Sequence, residues 1–261
     1  MCFFGFFFFF FFFYRNPFTQ SPYFTYKLSD SNPGELKKWE RRATLGDSHG
    51  SVSTIKFAPA HQGLKIATGS ADGFVRIYEA IDITNLSQWQ IMDQIECTTS
   101  QAGGVNCLDW NPNPFDTAML AVGTQEPTAK IFQYNDKLRK WELAFTLPAT
   151  VGDADSHTGP ILDIAWAPNM GRSYHLIATA SKDRTVRIWR IDQAKNGKYE
   201  VKLVKSFPDH NAEVWRVEWN ITGTILASSG DDNTIRLWKQ NFLDQWLCLS
   251  IISGNDESGG S

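Results

Sequence analysis

The sequence has few cysteines and little net charge, and both deficits narrow the possible functions. Its four cysteines, Cys2, Cys97, Cys107 and Cys248, form no Cys-x-x-Cys pair and have no histidine nearby at the spacing of a zinc site. We therefore interpret them as buried free thiols in a reducing compartment. With 25 basic and 28 acidic residues the formal charge is −3, so we expect no direct binding of nucleic acid through bulk charge.

A hydrophobic run long enough to span a membrane is also missing. The Phe-rich start, MCFFGFFFFFFFFYR, offers about eleven apolar residues, against the roughly twenty that a spanning helix needs. It lacks the preceding basic residue and the following small-residue cleavage site of a signal peptide. We expect residues 1–30 to be a low-complexity segment, disordered or the product of a mis-called start, and we predict no transmembrane segment.

What the sequence does contain is a repeat. Three segments share a small-residue turn, an Asp and a β-branched strand that ends in an aromatic residue: IATGSADGFVRIY (66–78), IATASKDRTVRIW (177–189) and LASSGDDNTIRLW (226–238), with LAVGTQEPTAKIF (120–132) as a weaker copy. Strand-like alternation begins upstream of each copy, near residues 49, 103, 157 and 210, and returns downstream at 88–96, 140–149, 199–207 and 244–252. Alternation with period two, bounded by Gly, Pro and Asn, indicates strands. Each unit therefore contains four short strands.

The spacing of the repeats predicts the fold. Their terminal aromatic residues stand at 78, 132, 189 and 238, slightly further apart than the roughly 40 to 45 residues of a WD repeat. We predict an all-β WD-repeat β-propeller over residues 35–252, with four full blades and a flexible tail at 253–261. Residues 35–47 (ELKKWERRATLGD) are typical of an orphan outer strand. The ring is then incomplete and leaves strand edges open, unless repeats missing from the N-terminus or another chain close it.

Four residue types recur in order within the repeats and resemble a set found in WD-repeat proteins. There, an Asp accepts a hydrogen bond from a His, the His meets a hydroxyl, and the hydroxyl meets an indole N–H, all buried. The matching structural sets are His49, Thr68, Asp72 and Tyr78; His157, Thr179, Asp183 and Trp189; and His210, Ser228, Asp232 and Trp238. The copy that ends at Phe132 has Val122 and Glu126 instead and no upstream His, so we predict that its blade is the least rigid.

The same residues could suggest catalysis, because Asp-His-Ser arrangements perform acyl transfer. Recurrence in three repeats argues against an enzyme, which needs one site. A Gly-rich phosphate loop, a nucleophile elbow and a metal cluster are all missing, and we predict no catalytic residue, no metal ligand and no cofactor. Arg76, Arg187 and Arg236 could form an anion clamp, but alternation favours a solvated face of the third strand.

Three long stretches carry a more specific resemblance: residues 52–89, 169–183 (NMGRSYHLIATASKD) and 213–246. They resemble the Seh-one and Sec-thirteen family of WD-repeat nucleoporins, and are closer to its Seh-one branch. The resemblance implies a scaffold in the outer ring of the nuclear pore, the Y-shaped subcomplex, which supports nucleocytoplasmic transport. It implies an open propeller completed by a blade from an α-solenoid nucleoporin, with residues 210–252 as one wall of the groove. Other outer-ring nucleoporins are implied as further partners.

The resemblance also implies a second role and leaves alternatives open. The second role is membership of an amino-acid-responsive TOR-regulating complex at the vacuole or lysosome surface, besides the nuclear pore and nuclear envelope. One alternative is a Sec-thirteen-like subunit of the endoplasmic reticulum vesicle coat. Another is a peptide-reading WD-repeat adaptor, which needs a cationic or aromatic rosette around the channel. A propeller hydrolase would need one cluster of groups with perturbed pKa values near the channel, and nothing in the sequence marks one.

Overall fold

The computed structural model describes residues 23–28, 39–98, 103–148, 155–194 and 197–254. The predictions for residues 1–22 and for the end of the tail, residues 255–261, lie outside the described residues. Within the described ranges, no helix is long and apolar enough to span a membrane. The described elements are strands, apart from one 3₁₀ turn at Ala60–Gln62.

Four antiparallel sheets of four strands each follow one another along the chain, and a two-stranded sheet precedes them. The two-stranded sheet contains β1 (Tyr23–Leu28) and β2 (Trp39–Leu45). Blade A contains β3 (Val52–Phe57), β4 (Lys65–Ser70), β5 (Phe74–Ala80) and β6 (Trp89–Glu96); blade B contains β7 (Val105–Trp110), β8 (Met119–Thr124), β9 (Ala129–Asn135) and β10 (Lys140–Leu147). Blade C contains β11 (Ile161–Trp166), β12 (His175–Ser181), β13 (Val186–Gln193) and β14 (Tyr199–Phe207); blade D contains β15 (Val214–Trp219), β16 (Ile225–Gly230), β17 (Thr234–Gln240) and β18 (Trp246–Ser253). The predicted incomplete β-propeller with four full blades is confirmed.

Tight turns join the second and third strand of each blade, and in blades A, C and D the third residue of the turn has a left-handed backbone. In blade A this residue is Gly73, with φ of 87°, and a Cβ there would collide with the Thr98 carbonyl oxygen. Arg184 and Asn233 hold the same place in blades C and D with φ of 71° and 56°. The preceding Asp accepts hydrogen bonds from the turn, as Asp183 does from the Thr185 N–H at 2.9 Å, which offsets the strain of a left-handed non-glycine residue.

The hydrophobic core lies between blades rather than within them. One face of blade C, with Ala178, Val186 and Ile188, packs against blade D residues such as Leu226 and Trp238. Blades B and C, and blades A and B, pack in the same way through two further clusters. The innermost strands β3, β7, β11 and β15 are neighbours in that order. Each blade therefore depends on the next blade to cover one of its faces.

The strand predicted to be an orphan has a partner. β1 pairs antiparallel with β2, from Tyr23 opposite Leu45 to Leu28 opposite Trp39. Residues 23–28 were predicted to belong to a low-complexity segment, and the strand was not predicted, because a single short alternation beside a Phe run gives no repeat signal. Leu45 at the end of β2 is buried.

The cysteine prediction is confirmed for two residues and wrong for one. Cys97 and Cys107 are buried free thiols, whereas Cys248 on β18 is exposed. Burial raises the pKa of Cys97 to about 12, so this thiol stays protonated and unreactive. Cys2 lies outside the described residues.

Candidate binding surface on the last blade

The predicted hydrogen-bond set is assembled in blade C. His157 Nδ1 lies 2.8 Å from Asp183 Oδ2, His157 Nε2 lies 2.8 Å from Thr179 Oγ1, and Trp189 Nε1 donates to the same hydroxyl at 3.0 Å. Burial would raise the pKa of Asp183, but hydrogen bonds from His157 and Thr185 hold it well below its usual range. An ionised carboxylate only accepts, so His157 donates from Nδ1 and accepts the Thr179 proton at Nε2.

Blade D assembles its set with nearly the same geometry. His210 Nδ1 lies 2.8 Å from Asp232 Oδ2 and His210 Nε2 lies 2.7 Å from Ser228 Oγ, which accepts from Trp238 Nε1 at 2.8 Å. Burial lowers the pKa of His210 below its ordinary value, which favours the neutral ring that this chain of donors requires. These groups pair one another inside the blade and present no nucleophile to a substrate.

Blade A brings only part of its predicted set together, because the Tyr78 hydroxyl lies close to Thr68 but the His49 ring does not join them. His49 is exposed and reaches Asp72 through its backbone N–H, at 3.0 Å from Oδ2, rather than through its ring. Arg76 takes the place of the imidazole, donating to Asp72 Oδ2 at 2.8 Å and to Ser70 Oγ at 2.9 Å. Tyr78 lies close to Asp47, and burial together with that carboxylate raises the pKa of Tyr78 above its usual range. Thr68 is buried and its hydroxyl lies 3.5 Å from the Arg76 carbonyl oxygen.

The prediction of a solvated arginine face is wrong. The side chains of Arg76, Arg187 and Arg236 are only 1%, 11% and 14% exposed. Each lies within 4.0 Å of the turn Asp four residues earlier in its own blade. Period-two alternation correctly placed the three arginines on one face of the third strand. It did not show that this face is covered, because in a propeller both faces of an inner blade are buried.

Blade B replaces the missing set with a different network. Val122 at the hydroxyl position is fully buried. Glu126 pairs with Lys130 at 2.9 Å and accepts a hydrogen bond from Thr98 Oγ1 at 3.2 Å. Lys130 also donates to the Cys97 carbonyl oxygen at 2.8 Å. The reduced rigidity of blade B stays a prediction, and this network works against it.

Two buried carboxylates on the inner strands were missed by the sequence analysis. Asp109 Oδ2 accepts from the Trp166 backbone N–H at 2.8 Å, and Asp163 Oδ2 accepts from the Val217 N–H at 3.0 Å, each across a blade boundary. Burial raises the pKa of each carboxyl to about 6. Both look like ordinary polar positions of an alternating strand, so no sequence signal marked them. Their hydrogen bonds hold neighbouring blades together.

The described inner strands contain neither a rosette nor a metal cluster. Lys56, Asp109, Ala165 and Glu218 occupy the same register position in blades A to D, each opposite an alanine of the second strand. Their chemistry differs from blade to blade, unlike the uniform ring that a peptide-reading adaptor needs. In the described part of the chain, no group of three His, Cys, Asp or Glu side chains could hold a metal ion.

The last blade exposes the face that the other blades bury. We define the open face by Ile225, Ala227, Ile235, Leu237, Leu247 and Ile252, which the strand register places on one side of blade D. Ile235 is 45% exposed and Ile252 is 52% exposed, whereas the equivalent residues of blade C, Val186 and Phe207, are 0% and 2% exposed. An apolar blade face without a neighbour is typical of an interaction surface.

Four-stranded antiparallel blades, inter-blade cores and His-Asp hydrogen-bond sets together define a WD-repeat β-propeller protein. The family model described as "WD domain, G-beta repeat" matches residues 39–79, 149–190 and 201–239.

Relatives narrow the class further. The chain is 46% identical over 233 residues to nucleoporin SEH1 of Homo sapiens, which covers 83% of this chain and 61% of the relative. It is 47% identical to nucleoporin SEH1 of Bos taurus with the same coverage, and 45% identical to nucleoporin SEH1-A of Xenopus laevis, covering 85% of this chain and 63% of the relative. The chain belongs to the WD-repeat nucleoporin family that SEH1 represents, and it spans about three fifths of the length of these relatives.

Proposed function

We propose that this chain is a non-catalytic scaffold subunit of the outer ring of the nuclear pore, the Y-shaped subcomplex, and supports nucleocytoplasmic transport there. Its open face binds a β-blade supplied by an α-solenoid nucleoporin. The observation that carries the proposal is the contrast between the open face of blade D and the buried equivalent face of blade C. The relatedness to nucleoporin SEH1 supports the choice of assembly.

The energetics favour a blade as the occupant. Fully burying a Val, Leu or Ile side chain stabilises by about 1.5 to 3 kcal/mol, and several such side chains of the open face are half-exposed or exposed. Their counterparts in blades A to C meet the next four-stranded sheet. A sheet inserted at the same spacing would bury this surface as the next blade does elsewhere in the ring.

The test is a binding measurement with a matched control. The full chain would be titrated by biolayer interferometry against the purified α-solenoid nucleoporin of the same organism, with its blade-forming segment included. Ile252→Asp and Leu143→Asp both change an exposed aliphatic residue on an outer strand, at 52% and 53% exposure, but only Ile252 lies on the open face. We expect Ile252→Asp to weaken binding at least about 100-fold, since it buries a charge, and Leu143→Asp to leave it unchanged. Equal binding by both variants would contradict the proposal.

We also propose the second role, as a subunit of an amino-acid-responsive TOR-regulating complex at the vacuole or lysosome surface. It rests on the family resemblance of residues 52–89, 169–183 and 213–246. A fluorescent tag on the chain should then label the nuclear envelope and, separately, the vacuole or lysosome surface. A label at the nuclear envelope alone, with no TOR-regulating subunits among the co-purified proteins, would contradict the second role and leave the first in place.

A further inference from the structure

We infer that Trp215 and Glu218 on β15 are the polar docking positions for the inserted blade. In this arrangement the Trp215 indole N–H donates to a backbone carbonyl at the start of the occupant's innermost strand. The Glu218 carboxylate accepts from a backbone N–H near the end of the same strand. The inference rests on the proposed function, and it adds which residues select the occupant and what chemistry the occupant must present.

The second residue of the inner strand makes a repeated contact across blade boundaries. In blade A, Ser53 Oγ donates to the Val105 carbonyl oxygen of blade B. In blade B, Asn106 Nδ2 donates to the Ile161 carbonyl oxygen of blade C at 2.8 Å. Val105 and Ile161 are each the first residue of the next inner strand. Two of the three described boundaries therefore use a side-chain donor at this position and a backbone acceptor in the following blade. At the third boundary the position is Leu162, which has no side-chain donor.

Trp215 holds this position in blade D, where no described blade follows. It is 47% exposed, and it is the one tryptophan among the described side chains that is exposed rather than buried or half-buried. Its Nε1 donates to Asp231 Oδ1 at 2.7 Å, on the turn of its own blade. A Trp indole has only this one donor, so a neighbouring carbonyl would have to take it over from Asp231. Tryptophan is also among the residue types that contribute most of the binding energy at protein interfaces.

The fifth residue of β7 makes a second kind of contact across a blade boundary, at one of the three described boundaries. Asp109 accepts the Trp166 backbone N–H of the next blade at 2.8 Å, and Glu218 occupies the same register position in β15. The Glu218 side chain is 72% exposed and its Oε2 lies 3.9 Å from Lys56 Nζ, a distance at which an exposed pair contributes little. A carboxylate is thus already in place for a strand that would follow blade D.

The backbone carbonyl group at the fifth position of the inner strand indicates which side chain the occupant should carry. The carbonyl oxygens of Lys56 and Ala165 accept indole N–H groups from the next blade, Trp110 Nε1 at 3.3 Å and Trp219 Nε1 at 3.1 Å. These are two of the three described boundaries. The equivalent acceptor in blade D is the Glu218 carbonyl oxygen. We therefore expect an occupant whose inner strand ends in a tryptophan, within a four-stranded β-blade that has one apolar face.

The test uses the full chain and the purified α-solenoid nucleoporin with its blade-forming segment as the probe. Trp215→Phe keeps the aromatic bulk and removes the donor, and Glu218→Ala removes the acceptor. We expect each to weaken binding about tenfold, since each removes one interfacial hydrogen bond. Trp141→Phe and Glu142→Ala on β10 of blade B are the matched controls and should change affinity by less than twofold. Thermal unfolding by circular dichroism would show that all four variants keep the fold.

A second readout follows the indole directly. The ¹⁵N–¹H signal of the Trp215 indole, assigned by its loss in Trp215→Phe, should shift on binding, while that of the buried Trp189 stays in place. If Ile252→Asp abolishes binding but Trp215→Phe and Glu218→Ala bind within twofold of the parent chain, with no Trp215 shift, the inference is wrong and the proposed function stands. If the parent chain does not bind, or binds equally well after the blade-forming segment is deleted from the probe, the proposed function fails and the inference with it.

Discussion

Blades C and D share a hydrogen-bond skeleton but differ in what covers them. The His–Asp distance is 2.8 Å in both, and the indole donates to the hydroxyl at 3.0 Å in blade C and 2.8 Å in blade D. Val186 of blade C is inaccessible to solvent, whereas its equivalent in blade D, Ile235, is 45% exposed. The polar set is therefore internal to each blade, while apolar burial is supplied by a neighbour.

The internal polar set therefore serves the folding of blade D, and its uncovered apolar face serves recognition of a partner. A blade with its His set in place keeps its shape when one neighbour is absent, because the turn and the strand pairing are fixed locally. The apolar free energy that the missing neighbour would have contributed stays available for a partner. Blade D can thus act as a preformed surface for an inserted sheet.

The largest expected difference between the two blades concerns apolar truncation. Ile188 of blade C is completely buried and Leu237 at the same position of blade D is only partly buried. Ile188→Ala should lower the free energy of unfolding by about 3 kcal/mol, because it leaves a cavity between blades, and Leu237→Ala by about 1 kcal/mol or less. Urea unfolding followed by circular dichroism measures both. Equal losses would mean that the open face is covered in solution.

Loss of the imidazole should distinguish blades C and D from blade A. His157→Ala and His210→Ala each orphan an Asp and a hydroxyl in a buried site, and should cost about 2 kcal/mol or more. His49→Ala should cost less than about 0.5 kcal/mol, since His49 is exposed and uses its backbone N–H. The same urea series checks this prediction. A loss at His49 as large as at His157 would show that its ring belongs to a buried set.

The boundary between blades C and D should respond to pH through Asp163. Burial raises the folded-state pKa of Asp163 to about 6, above an unfolded value of about 4. The folded state then holds the proton more tightly, so this group's contribution to stability is present below about pH 4 and is lost as the pH rises to about 6. Relative to the parent chain, Asp163→Asn should gain roughly 2 kcal/mol between pH 4 and pH 7. A constant difference across this range would contradict the assignment.

The smallest expected effect concerns blade B. It lacks the His set, and the Glu126–Lys130 pair substitutes for it at 2.9 Å. Amide exchange in β8 and β9 should be only a few times faster than in β12 and β13, measured by hydrogen exchange with mass spectrometry, because the two blades are equally buried between neighbours. Glu126→Gln should widen this gap. Slower exchange in blade B than in blade C would refute the prediction that blade B is the least rigid.

Features that recur in the repeats could be predicted from the sequence, and features that occur only once could not. The four recurring strands and their turns predicted the blades. Three His–Asp sets were predicted, and the structure assembles two of them. β1 was missed because it has no copy among the repeats, and Asp109 and Asp163 were missed because a polar residue in an alternating strand does not show that the next blade buries it. The exposed ring of His49 was not predicted either. Its copy has His, Thr and Asp in the same order, with Tyr78 in place of the tryptophan, and the sequence does not show that Arg76 hydrogen-bonds Asp72 instead of the imidazole.

Hydrogen exchange of the full chain, with and without the α-solenoid nucleoporin that carries a blade-forming segment, tests directly whether blade D receives the partner. Binding should slow exchange in β15 to β18, which carry the open face and the edges of blade D, and leave β11 to β13 unchanged. Slowed exchange confined to blades A to C, with β15 to β18 unaffected, would mean that the last blade does not receive the partner.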